Sequence, residues 1–214
     1  MIIGVTGSLG TGTSTAARYI AKALKAELIN ADKVAHKLLN GKASVSNRLV
    51  LAFGKEIIDK KGVIDRAKLA ERAFRKKATL KKLSNIMYPV IITGIDRRIK
   101  AIYKKKPSAF IVVDGAVIIE SNFYKECDRV VLVASSLSVQ LERARKNKKL
   151  LHSEALSRIR LQMPLCRKAR YADYIIDNGG SLKELKQQCT EITKDLKGVR
   201  KPKTAKNAFL GRIF

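Results

Sequence analysis

The stretch Gly7-Ser8-Leu9-Gly10-Thr11-Gly12-Thr13-Ser14 constrains this chain more than any other. It follows an apolar run, Ile2-Ile3-Gly4-Val5-Thr6, and opens into a helical pattern, Thr15 to Leu24. A strand, a glycine loop and a helix start in that order make a phosphate-binding loop, and they imply a parallel α/β sheet. The glycines let backbone N–H groups curl around phosphate oxygens, and the helix terminus adds a favourable dipole. Gly7, Gly12 and Ser14 fit the pattern of Gly, four residues, Gly, Lys, then Ser or Thr. Thr13 stands where the lysine belongs. Ser14 is placed to hold Mg²⁺, while the point charge that would bridge the β- and γ-phosphates is missing.

Five β-like runs, Ile2–Thr6, Glu27–Asn30, Phe110–Asp114, Arg129–Ala134 and Tyr174–Asp177, are separated by helical stretches. That alternation predicts a five-stranded parallel sheet with helices on both faces. The interval from Ala31 to Ser108 is too long for one crossover and holds four helical patterns: Lys33–Leu39, Ser44–Ala52, Arg66–Arg75 and Leu80–Lys104. A helical insert that binds substrate is the reading there. Ser136 to Tyr171 is helical and dense in Arg and Lys, which suits a mobile lid. The chain of 214 residues reads as one domain over 1–194, with its core in 1–32 and 108–194. The insert is placed at about 33–107 and the lid at about 143–168, and 195–214 reads as a flexible basic tail.

The formal net charge is +27, of which six basic residues and one acidic residue from Asp195 onward give +5, leaving +22 along the body. Dispersed lysine reads as a solvated surface, and no aromatic-interleaved basic motif appears, so nucleic acid is not the expected partner. A positive field also favours small polyanionic substrates. No apolar run approaches the ~20 residues that span a bilayer, and no cleavable signal is expected. Cys127, Cys166 and Cys189 are widely spaced and fit a reducing cytoplasm. His36 and His152 lack the partners of a zinc site.

Further candidates lie at strand ends. Asp32 follows the second strand and can accept a proton from a substrate hydroxyl, or can cap the next helix. Asp114 closes the third strand and can hold Mg²⁺, or can serve the turn at Gly115. Asn178 can meet an adenine edge or support a turn. Arg143, Arg158, Gln162 and Lys168 lie in the lid segment, where cations neutralise a transferring phosphoryl group or merely line a solvated helix face. Arg143 and Arg158 are the two favoured as ligands.

Together these stretches resemble the dephospho-coenzyme A kinase family from Met1 to about Gln188. The resemblance rests on the glycine loop, Ala31-Asp32 with His36, Phe53-Gly54, and Gly62 with Asp65-Arg66 and Leu69. It continues through Asp114 to Glu120, Ser153 to Ile159, Gln162-Met163-Pro164, Lys168 and Ala172 to Asn178. It implies a three-layer α/β/α P-loop fold with a helical substrate insert and a lid. It also implies transfer of the ATP γ-phosphate to the 3′-hydroxyl of dephospho-coenzyme A. GTP remains an open donor at this stage, with Mg²⁺ the implied metal and dephospho-coenzyme A the implied partner.

Carried over, Asp32, Thr13 and Arg143 form the catalytic set. Gly7, Ser8, Leu9, Gly10, Thr11, Gly12, Thr13, Ser14 and Thr15 bind the phosphates, with Arg143, Arg158 and Asn178 on the nucleotide side. Asp32, His36, Arg66, Tyr88 and Asp114 lie on the acceptor side, and Ser14 and Asp114 on the metal. Departures fall at functional positions. Besides Thr13, Asn30 replaces an Asp, Tyr88 a His before Pro89, Ala116-Val117-Ile118 a Pro-Leu-Leu, and Asn147-Lys148 an Arg-Asp. Lys146, Lys148 or Lys149 could supply the missing charge. Two further readings stay open: a related P-loop kinase with another hydroxyl substrate, and a weakened nucleotide-binding paralogue.

Overall fold

The structure is a computed structural model that describes residues 1–41 and 43–198. These residues divide into two compact units, one holding 1–30 with the chain from 99 onward, the other 31–98.

In the first unit, β1 (Ile2–Thr6) leads through the glycine loop into α1 (Thr13–Leu24), and β2 (Glu27–Asn30) follows. The helical unit then intervenes with α2 (Ala31–Gly41), α3 (Ala43–Phe53), α4 (Arg66–Ala73) and the greater part of α5 (Lys77–Lys105), whose last turns belong to the first unit. The chain returns with β3 (Ile111–Asp114), β4 (Arg129–Ala134), α6 (Leu137–Lys148), α7 (His152–Leu161), the short α8 (Leu165–Lys168), β5 (Tyr174–Asp177) and α9 (Leu182–Gly198). All strand pairs are parallel, in the order β2-β3-β1-β4-β5, with helices on both sides. The predicted runs and the observed strands coincide, except that β3 begins at Ile111 rather than Phe110.

A parallel sheet covered on both faces needs apolar residues on both sides of each strand. Accordingly β3 and β4 are buried at every position and show no alternation. One face packs Ile3, Val5, Val112, Val131, Val133 and Ile176 against Ala16, Ala17, Ile20 and Leu24 of α1 and Leu185, Ile192 and Leu196 of α9. Helix α9 runs to Gly198 with Leu196 buried, so residues 195–198, read from sequence as the start of the tail, are helical. The rest of that tail lies outside the described residues.

The register places the site. Val5 of β1 is opposite Asp114 of β3, so the glycine loop and Asp114 leave adjacent strands at the same edge. That is the carboxyl edge, where open α/β sheets bind ligands.

The helical unit has a core of its own, built from Leu39, Val45, Leu49, Phe53, Ile57, Ile64, Leu69, Ile86 and Met87. Asp65 caps α4, its carboxylate accepting from Ala67 N at 2.9 Å and Lys68 N at 3.2 Å. Helix α5 continues through Pro89, and Thr93 Oγ1 donates back to the Pro89 carbonyl at 2.8 Å. A groove of about 250 Å³ in this unit is lined by Leu38, Val45, Pro89 and Val90 and by the guanidinium-bearing Arg48 and Arg97.

Candidate active site

The glycine loop is held from inside and outside. Inside, Ser8 and Thr11 close a turn: Thr11 N donates to Ser8 O at 3.2 Å, Thr11 Oγ1 donates to Ser8 O at 2.9 Å, and Ser8 N donates to Thr11 Oγ1 at 3.1 Å. Thr13 Oγ1 lies 3.0 Å from Thr11 Oγ1. A hydroxyl carries one hydrogen. Thr11 gives its hydrogen to Ser8, so Thr13 is the donor in the Thr13–Thr11 contact. Where a lysine would extend outward, this side chain is tied into the loop.

Gly10 and Gly12 have φ of 80° and 86°, the left-handed region that favours glycine. A Cβ at Gly12 would come within 2.2 Å of Asn178 Nδ2. Among the described residues, the N–H groups of Gly10, Gly12, Thr13 and Ser14 donate to no acceptor. Four unspent donors at the N-terminus of a twelve-residue helix are an anion cradle. Ser14, the second residue of α1, is exposed.

Outside, three side chains grip the loop. Gln162 Oε1 accepts from Ser8 Oγ at 2.6 Å and Leu9 N at 3.0 Å. Asn178 Nδ2 donates to Thr11 O at 2.9 Å. Lys168 Nζ donates to Gly7 O at 2.8 Å and Ala116 O at 2.6 Å, and pairs with Glu120 Oε1 at 2.9 Å. Lys168 has no exposed surface. Burial pushes its ammonium below the usual lysine range, and Glu120 opposes that shift.

Beside the loop, Asp114 is buried, and its Oδ2 accepts from Asn30 Nδ2 at 2.7 Å. A second carboxylate at position 30 would face Asp114 as a like charge at hydrogen-bond distance. The amide removes that repulsion, which gives the Asn30 departure a physical reason. Arg143 Nη1 donates to Asn178 O at 2.7 Å and its Nη2 to Gly180 O at 3.4 Å, so this guanidinium holds the turn after β5. Arg158 pairs with Glu154 at 2.6 Å, one turn away on α7. Lys146 pairs with Glu142 at 2.7 Å, whereas exposed Lys149 has no ion-pair partner among the described residues.

In the helical unit, Asp32 is exposed in the first turn of α2, and its carboxylate has no partner among the described residues. His36 is exposed on the same helix, Arg66 is exposed at the first position of α4, and Tyr88 is half-buried on α5.

Sequence reasoning undervalued two residues. Lys168 reads from sequence as a lid cation or part of a solvated helix face, yet it is fully buried against the loop. From sequence Gln162 reads only as a lid-segment residue, and in the structure it holds two donors of the loop. The usable signal was position: both fall in the ordered run from Ser153 to Asn178.

Comparison with known proteins agrees with this geometry. The profile of the family described as dephospho-CoA kinase (CoaE) matches residues 1–184. The dephospho-CoA kinase of Fusobacterium nucleatum is 36% identical over 86% of this chain and 93% of its own length. That of Aquifex aeolicus is 32% identical over 91% of this chain and 96% of its own. The solved structure of dephospho-CoA kinase from Campylobacter jejuni superposes with a TM-score of 0.63 at 29% identity, covering 92% of this chain and 98% of the other. A five-stranded parallel sheet, a glycine loop at its carboxyl edge and a match over nearly the whole chain lead to one conclusion: the chain belongs to the dephospho-CoA kinase family of P-loop phosphotransferases.

Proposed function

We propose that this chain transfers the γ-phosphate of ATP to the 3′-hydroxyl of dephospho-CoA, and that it does so without a loop lysine. The observation that carries the reading is the loop itself. In a member of this family, the N–H groups of Gly10, Gly12, Thr13 and Ser14 are left for an anion at a helix N-terminus. Catalysis of phosphoryl transfer is mostly positioning and charge stabilisation, and preorganised N–H donors supply both.

In this reading Gly7 to Thr15 cradle the donor phosphates, with Arg143, Arg158 and Asn178 on the nucleotide side. Asp32 is the general base that takes the proton of the 3′-hydroxyl, and its exposed, unpartnered carboxylate is available to accept it. His36, Arg66 and Tyr88 bind the acceptor. The exposed hydroxyl of Ser14 and the carboxylate of Asp114 are hard oxygen donors of the kind Mg²⁺ prefers. When bound, Mg²⁺ neutralises charge on the phosphates. Thr13 shapes the loop through Thr11 and does not replace the lysine charge. Of Lys146 and Lys149, Lys149 is the better suited to supply it, since Lys146 is paired with Glu142; the Lys148 side chain lies outside what the structure describes. A cytoplasmic location completes the reading and is supported by the free thiols Cys127, Cys166 and Cys189.

The test is mass-spectrometric detection of CoA formed from dephospho-CoA, Mg²⁺ and ATP, repeated with GTP and with EDTA. Product with ATP that is lost on chelation is the expected outcome. Absence of product with both donors, in a protein that still binds nucleotide, overturns the reading.

A further inference from the structure

Lys168 is energetically costly. Taking an ammonium out of water costs several kcal/mol, and a fold keeps such a group only where its partners compensate. Here they do, because three acceptors meet the three N–H donors of the ammonium: Gly7 O, Ala116 O and Glu120 Oε1.

The identity of those acceptors decides what the lysine does. Glu120 neutralises it, so the pair brings no net charge to the phosphate site and cannot stand in for the lysine missing at position 13. The two carbonyls come from the chain just after β1 and just after β3. One ammonium therefore ties the start of the phosphate loop to the segment that carries Asp114. The same stretch of chain grips the loop again through Gln162, and Met163 N donates to Glu120 Oε1 at 3.3 Å.

We propose that Lys168 is a positioning residue for phosphoryl transfer, its buried ammonium fixing the Gly7 and Ala116 carbonyls and so setting the phosphate loop against the Asp114 segment. The inference rests on the kinase reading above. It differs from a stability role in one consequence. If the ion pair only held the fold together, apolar replacement of both members would restore stability and function together. If Lys168 positions the loop, the same replacement restores stability alone, because the Gly7 carbonyl still lacks its donor. Partial recovery of stability is expected, since apolar substitution of a whole buried pair is often tolerated and Glu120 Oε2 is a buried oxygen with no hydrogen-bond partner.

The experiment compares wild type, Lys168→Met and Lys168→Met/Glu120→Leu by thermal melting, equilibrium ATP affinity and steady-state kinetics. Lys168→Met should melt well below wild type. The double variant should recover the part of that loss due to the uncompensated Glu120 charge while its ATP Kd stays ~10-fold or more above wild type, and its kcat falls by a similar factor. KM for dephospho-CoA should change less than ~2-fold, since uniform acceptor binding is untouched. ATP affinity and kcat that return with stability overturn the proposal. Should the leucine pair fail to fold, Lys168→Met/Glu120→Gln carries the same expectation. A wild type that binds ATP but forms no CoA sinks the kinase reading, and the comparison of ATP affinities still decides the role of Lys168.

Discussion

At the scale of single residues the glycine loop gives the most direct prediction. Gly12 sits at φ 86° with Asn178 Nδ2 where a Cβ would go, at 2.2 Å. Gly12→Ala must strain the backbone and displace the amide that holds Thr11 O. ATP affinity should fall by about 100-fold or more, measured by calorimetric titration, with the melting temperature much less affected. A lid comparison is equally specific. Lys149→Ala should lower kcat by about 10-fold or more, whereas Lys146→Ala, which removes a cation already paired with Glu142, should change it less than about 3-fold. Equal effects would remove Lys149 from its proposed role. Ser14, Asp32 and Asp114 are legible from sequence as candidates because each lies at or beyond the carboxyl end of a strand. Lys168 is legible only by its place in the run from Ser153 to Asn178; its burial is not, because a lysine in a basic helical segment reads as solvent-facing until the three acceptors around it are seen.

At the scale of elements, the strands were legible because a parallel sheet buried on both faces demands unbroken Val and Ile runs, and β3 and β4 have them. The four helices of the insert were legible as patterns, although their ends shifted. Helix α5 starts at Lys77, not Leu80, and α2 at Ala31, not Lys33. Pro89 does not break α5: its ring costs the helix the bond to the Asn85 carbonyl, while Thr93 Oγ1 back-bonds to the Pro89 carbonyl within the following turn. Sequence could not say what Asp65 does. As the α4 cap it accepts two backbone N–H groups. Asp65→Ala should destabilise the protein by about 1 kcal/mol in urea unfolding and leave the ATP affinity unchanged, whereas Asp65→Asn, which keeps an acceptor, should cost less.

At the scale of the whole molecule, pH provides a test of the core. Burial pushes the Cys127 thiol up to about 12, the Cys189 thiol up to about 11 and the Tyr174 phenol up to about 12, the last also bonded to Asp195. Each folded pKa lies above its unfolded value, so the folded protein keeps protons that the unfolded chain releases. The stability these groups contribute is complete below about pH 9 and is lost as pH rises from 9 toward 12, at up to about 1.4 kcal/mol per pH unit for each group. Urea midpoints should fall steadily across that range, and Cys127→Ala should flatten the decline. A flat profile in wild type would contradict the burial of these groups.

Phosphoryl transfer to dephospho-CoA from a loop without lysine is the central claim for the molecule, and Asp32 is the residue that isolates it. The direct measurement is CoA formation from dephospho-CoA, ATP and Mg²⁺ by mass spectrometry, in wild type beside Asp32→Ala and Asp32→Asn. The account predicts product in wild type, a fall of about 10²-fold or more in both variants, and unchanged ATP affinity in both. Turnover that survives loss of the carboxylate, or a wild type that binds ATP and makes no CoA, would contradict it.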